Sequence, residues 1–171
     1  QGAHIGYGPI LDLAREPRWS RVEETFGEDP FLISKLGVSV VVGLQGDDFK
    51  SGRNVYSTPK HFVSYGIPVG GHNGQHAIIG KRALFSDHLM PFREVTKAGV
   101  KTIMTSYNSV DGIPATSHKY LLKYILRDKW GFNGFIFSDL QSIEGIAGTH
   151  RAAPSIKHAA ALALDAGVDA D

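Results

Sequence analysis

Cysteine is missing altogether from these 171 residues, which excludes a disulfide framework, a thiolate metal site and a thiol nucleophile. No apolar run reaches the roughly 18 residues of a membrane-spanning helix. An excess of charge is lacking too: 18 basic against 17 acidic residues leave a formal net charge of +1, and the basic residues are scattered. Neither nucleic acid nor a membrane is therefore an expected partner. The glycine-rich stretch GIPVGGHNG (66–74) contains neither GxGxxG nor a GxxxxGK phosphate loop, which disfavours a doubly wound nucleotide-binding sheet. The start, QGAHIGYGPILDL, has no initiator methionine and no signal-peptide pattern, and AGVDAD ends as a strand is forming. We expect a piece of a longer chain.

What is present is a soluble-protein composition, 42% hydrophobic and 20% charged, arranged in alternation. Short apolar or β-branched runs, NVYSTPKHF (54–62), VKTIMTSYN (100–108) and GFIFSDL (134–140), predict strands buried on both faces. Between them lie helical patterns. Residues 81–99 space Leu84, Phe85, His88, Leu89, Phe92 and Val95 by three and four, with Gly99 at a helix C-terminus. Residues 118–131 carry Leu121, Leu122, Ile125 and Leu126 on one stripe before Gly131, and 154–167 close on Gly167. Asp29 and Pro30 read as N-cap and first residue of a further helix.

Strand and helix in alternation predict parallel strands joined by right-handed crossovers. The fold class expected is α/β, of the (β/α)8 TIM-barrel type, incomplete because a whole barrel needs about 250 residues and about five strands are countable. Polar residues end the strands at Lys60-His61, Tyr107-Asn108, Asp139 and Asp169. Such ends share one rim, where barrels assemble their active sites.

A carboxylate at a strand tip, as at Asp139, serves as nucleophile, general base or metal ligand, or merely as the N-cap of the next helix. Lys60 and His61, adjacent on a strand, point to opposite sides unless the chain turns there. The stretch LAREPRWSRVEETFGEDP (13–30) gathers Arg15, Arg18 and Arg21 with Glu16, Glu23, Glu24, Glu28 and Asp29 around Trp19 and Phe26. It is either a solvated charge-mixed loop or a set of arginine forks for hydroxyls, phosphates or carboxylates. His72 and His76 stand four apart, but no glutamate adjoins His72 and the Gly-Asn-Gly context disfavours a helix, so no metal is expected there.

LDLAREPRWSRVEETFGEDPFL, TPKHFVSYG, KAGVKTIMTSYNSVDGIPATSHKYLLKYILRDKWGFNGFIFSDL and ALDAGVDAD resemble, in order, the N-terminal barrel domain of glycoside hydrolase family 3. That is the β-glucosidase and β-xylosidase group. The likeness covers nearly the whole chain and is weakest from Ile67 to Gly80. It implies Asp139 as catalytic nucleophile, and Arg21, Lys60, His61, Met104 and Tyr107 as the pocket for the terminal non-reducing sugar. Tyr107 would donate a hydrogen bond to Asp139, and Lys60 or Arg21 would favour the ionised carboxylate.

The same resemblance implies that residues 1–171 are part of an N-terminal (β/α) barrel. A downstream α/β sandwich domain of the same chain, bearing the acid/base glutamate, would be absent here, and Glu144 has no counterpart in that role. The expected activity is release of terminal β-D-glucosyl residues from a β-glucoside or oligosaccharide, with no cofactor and no metal, by a retaining mechanism. The isolated chain is expected to be nearly inactive. A β-xylosidase, a non-catalytic carbohydrate-binding barrel and a metal-dependent barrel hydrolase built on some of the eight histidines are the alternatives. Relatives are often periplasmic or secreted. Two departures stand out: Leu140 replaces the usual tryptophan after the nucleophile, and Ser20 replaces the glycine of a PRWGR-like motif. The family branch that carries a PGHG-type loop is disfavoured, because KHFVSYG lacks it.

Overall fold

The computed structural model describes residues 2–171. Strand β1 (Ile5–Gly6) pairs in parallel with β2 (Tyr56–Ser57), and β3 (Thr102–Met104) pairs in parallel with β6 (Phe135–Phe137). Isolated parallel bridges tie the pairs together: Ile10 to Lys60, Phe62 to Thr105, and Phe137 to Ala170. The parallel strands thus follow one another in chain order. Strands β4 (Ser109–Val110) and β5 (Ile113–Pro114) form a small antiparallel hairpin beside this run. The architecture is mixed α/β, with no closed barrel among the described residues.

The helices arise where the sequence marks them. Helix α1 (Pro30–Gln45) starts with the Asp29 carboxylate accepting from the amides of Phe31 at 2.8 Å and Leu32 at 3.3 Å. Replacing Asp29 with alanine leaves those two amides without that partner, and is expected to cost about 1 kcal/mol, read as a lower urea midpoint at unchanged m. The second pattern divides into α2 (Lys81–Ala83), a π-helical turn (Leu84–His88) and α3 (Met90–Lys97), ending at Gly99 with φ +85°. Residues Tyr120–Lys129 form a π-helix that ends before Gly131, with φ +72°. Helices α4 (Ser142–Ala147) and α5 (Ile156–Ala166) follow β6, and Gly167 closes α5 at φ +105°.

One core joins these layers. Leu11, Ile33, Val41, Phe62, Phe92, Val95, Ile103, Leu121, Leu122, Ile125, Leu126 and Ile136 are all buried in it. All four stripe residues of the 120–129 helix are buried there. Of the three strands read from the sequence, β3 alone is buried on both faces. In β2 and β6, Tyr56 and Phe135 are exposed, while Ser57 and Ile136 are fully buried. Successive side chains on a strand point to opposite faces, so in these two strands one face enters the core while the other reaches solvent.

Candidate active site

The site forms where the parallel strands end. Asp139 follows β6 by two residues, and Tyr107 follows β3 by three. Because Met104 pairs with Phe137, both tips lie at one level. The 60–62 segment is held to its neighbours by Leu11 N donating to Lys60 O at 2.6 Å and Phe62 N donating to Met104 O at 2.8 Å. Lys60 and His61 therefore arrive at the same rim as Asp12, Tyr107 and Asp139.

The loop bearing Asp139 is tied down on every side. Ser142 N donates to the Asp139 carbonyl at 2.8 Å, and the Ser138 hydroxyl donates to it at 3.1 Å. Thr116 and Ser142 share a buried hydroxyl contact at 2.9 Å. The carboxylate itself takes only Leu140 N, at 2.8 Å on Oδ1. The backbone carbonyl, not the side chain, thus secures the start of α4, and the N-cap reading of Asp139 fails. The Ser138 hydroxyl also contacts the Asp171 carboxylate.

Asp139 Oδ2 and His61 Nε2 face each other at 3.4 Å, and each is buried with no hydrogen-bond partner among the described residues. Behind His61 sits Asp12, whose Oδ2 accepts from the His61 amide at 3.2 Å and lies within hydrogen-bond distance of His61 Nδ1, at 2.7 Å. The Tyr65 ring meets the imidazole edge-on, with centroids 4.9 Å apart. Tyr107 lies close to Asp139: burial and then the carboxylate's charge push its phenol up to about 12, so it keeps its proton.

A cleft of about 310 Å³ is lined by Lys60, Met104, Asp139 and Leu140, with Tyr7, Phe137, Ser138 and Asp171. Across Leu140 lies a second cleft of about 340 Å³, walled by Tyr65, Asn73, Tyr107, Gln141 and His150 among others. Leu140, 74% exposed, is the ridge between the two.

The arginines of the 13–30 stretch are each paired. Arg15 meets Asp87, and Arg18 meets Glu16 at 2.8 Å. Glu24 forks Arg21 at 2.7 and 2.8 Å, which holds the guanidinium pKa above its ordinary value. Arg21 also lies 5.4 Å above the Tyr65 ring. The Trp19 indole donates to Asn73 Oδ1 at 2.9 Å, tying this stretch to the loop that carries His72 and His76. Neither histidine lies on a helix, and no cluster of three His, Asp or Glu side chains suited to a metal occurs among the described residues.

One expected member of the rim is misplaced. Asp169 takes the Ile136 amide at 2.7 Å and Arg127 at 2.6 Å on its Oδ2, so it binds the sheet edge rather than the cleft. A carboxylate at a strand end looks alike in sequence whether it opens to a cleft or clamps its neighbour. Asn108, too, is buried and spent on the Val63 and Ser64 carbonyls. Sequence reasoning missed Asp12 and Tyr65, the two side chains that hold His61. Asp12 sits in LDL without any motif of its own, and the one signal was a carboxylate between two core leucines.

Residues 1–171 match the model of the glycosyl hydrolase family 3 N terminal domain. A periplasmic beta-glucosidase of Salmonella typhimurium is 38% identical over 98% of this chain, and a beta-xylosidase of Formosa agariphila is 41% identical over 96%. The solved structure of beta-glucosidase from Listeria innocua in complex with glucose superposes with a TM-score of 0.93 at 38% identity over 99% of this chain. This chain spans only 22%, 23% and 24% of those three proteins. Agreement in sequence and in three-dimensional form over the whole of its length means that the chain belongs to glycosyl hydrolase family 3.

Proposed function

We propose that this chain is part of the N-terminal barrel of a retaining β-glycosidase that releases terminal β-D-glucosyl residues from β-glucosides, with Asp139 as the covalent nucleophile. One observation carries the reading: a firmly held carboxylate at a strand tip turns an unpartnered oxygen toward His61 and lines a cleft with Lys60 and Met104. Asp139 attacks the anomeric carbon as the bond to the leaving oxygen breaks, forming a glycosyl ester that water then hydrolyses. Tyr107 steadies the carboxylate, and Lys60, His61 and Arg21 hold the sugar hydroxyls, with contacts that tighten as positive charge develops on the ring. Arg21 does so while forked by Glu24, and Met104 forms the wall beneath.

The proton for the leaving oxygen comes, in this reading, from a glutamate in a further domain of the same polypeptide. The relatives' greater length supports such a domain. Xylosides are the second reading, since β-xylosidases resemble the chain as strongly as β-glucosidases do. A periplasmic or secreted location fits the Salmonella typhimurium relative's name.

The test is the intact mass of the whole enzyme after incubation with a dinitrophenyl 2-deoxy-2-fluoro-β-glucoside. Its leaving group departs without a proton, so the nucleophile alone is interrogated. A one-sugar mass gain on the peptide bearing Asp139, absent in Asp139→Asn, is expected; an adduct on another residue overturns the assignment. No adduct, with glucose still bound, points to a non-catalytic sugar-binding protein, and preferential labelling by the xyloside selects the second reading.

A further inference from the structure

Asp12 is the most costly side chain at the site to keep where it is. It is 3% exposed, stands between two buried leucines in the chain, and its second oxygen, Oδ1, has no hydrogen-bond partner among the described residues. Burying a carboxylate is unfavourable by several kcal/mol unless its hydrogen bonds compensate. An asparagine would accept the same backbone amide at far smaller cost. The use of a carboxylate therefore lies in the His61 ring.

We infer that Asp12 is a positioning residue, which holds His61 with a hydrogen on Nδ1 and its Nε2 turned to Asp139 and the adjoining sugar. This rests on the glycosidase reading above. Three observations support it. Asp12 Oδ2 already accepts the His61 amide, so the same atom acts as acceptor toward the ring, and the hydrogen must sit on Nδ1. The 3.2 Å contact to the main chain anchors the carboxylate, and the 2.7 Å contact to Nδ1 then fixes the imidazole rotation. Tyr65 then closes one side of the ring, leaving Nε2 directed at Asp139, 3.4 Å away. A histidine ring nitrogen is assigned its task by the hydrogen bond its other nitrogen makes.

The first measurement reads the unaltered protein. Imidazole nitrogen NMR of the histidine-labelled whole enzyme, with the His61 signal assigned by its loss in His61→Gln, should show a hydrogen on Nδ1. A bare Nδ1 overturns the inference. The second follows the rate of glycosyl-enzyme formation with the fluoro-glucoside. Asp12→Asn should slow it about 10- to 100-fold, by analogy with the loss of the partners that orient metal-binding histidines. Asp12→Asn combined with His61→Ala should be no slower than His61→Ala alone, because Asp12 acts only through that ring. An unchanged rate in Asp12→Asn, or losses that multiply in the double variant, would overturn it. If Asp12→Asn fails to fold, the nitrogen spectrum of the unaltered enzyme still decides. Absence of any adduct in the unaltered enzyme would instead sink the glycosidase reading, and this inference with it.

Discussion

Asparagine in place of Asp139 is expected to lower kcat/KM of the whole enzyme on aryl β-glucosides by about 10⁴-fold or more, since loss of a covalent nucleophile costs up to about 10⁶ in kcat. The fold has little reason to change. The Leu140 amide donates to Asp139 Oδ1 at 2.8 Å, which an asparagine oxygen accepts equally well, and the loop is otherwise held through the backbone carbonyl. Sugar affinity should therefore survive while turnover does not. A shorter side chain gives a sharper test. Asp139→Gly opens room for azide, which attacks the anomeric carbon as dinitrophenolate leaves, and the product is the glycosyl azide of inverted configuration. A loss below tenfold in Asp139→Asn, or no azide product from Asp139→Gly, would remove Asp139 from the covalent role.

The second large effect concerns stability. At Gly66 a Cβ would lie 2.2 Å from the Leu13 carbonyl oxygen and 3.4 Å from Trp19. Neither the Leu13 backbone nor the buried indole has room to move, and Glu16 N donates to the Gly66 carbonyl from the same stretch at 3.2 Å. Gly66→Ala is expected to cost about 3 kcal/mol or more, at the upper end for overpacking. For a domain of this size, that lowers Tm by roughly 6 to 12 °C. The strain falls on the segment that carries Tyr65 and the one that carries Arg21, so sugar binding should weaken with stability. Gly43 is the control. A Cβ there meets nothing within 4 Å on an exposed stretch of α1, and Gly43→Ala should stabilise by about 0.5 to 1 kcal/mol. A Gly66→Ala protein that melts like the parent would show that the 13–19 strap yields easily.

These residues also show what the sequence discloses and what it hides. Helix α1 was legible because Asp29 and Pro30 are local start signals, answered within three residues by the amides they serve. The strand ends at 60, 107 and 139 were legible as a rim because parallel strands put their C-termini together. The exact helical form was not: Tyr120–Lys129 is π-helical, yet three-and-four spacing describes its buried stripe equally well. Asp12 was hidden for a different reason. Its partner lies 49 residues away, and no periodicity connects a carboxylate to a ring across that distance. Asp169 misled because the same residue type at a similar strand end is bound by Arg127 and a neighbouring amide.

The carboxylate partners of the arginines bear on how a substrate arrives. Arg15, Arg18 and Arg21 are each neutralised by Asp87, Glu16 and Glu24, and the formal net charge is +1. At physiological ionic strength, fields from such pairs fade within about 8 Å. An uncharged sugar neither needs nor feels long-range steering. Its capture therefore depends on concentration and diffusion, and salt in the surroundings leaves it almost untouched. On the proposed glycosidase reading, a uronic acid or sugar phosphate gains nothing from these three arginines unless it displaces their partners.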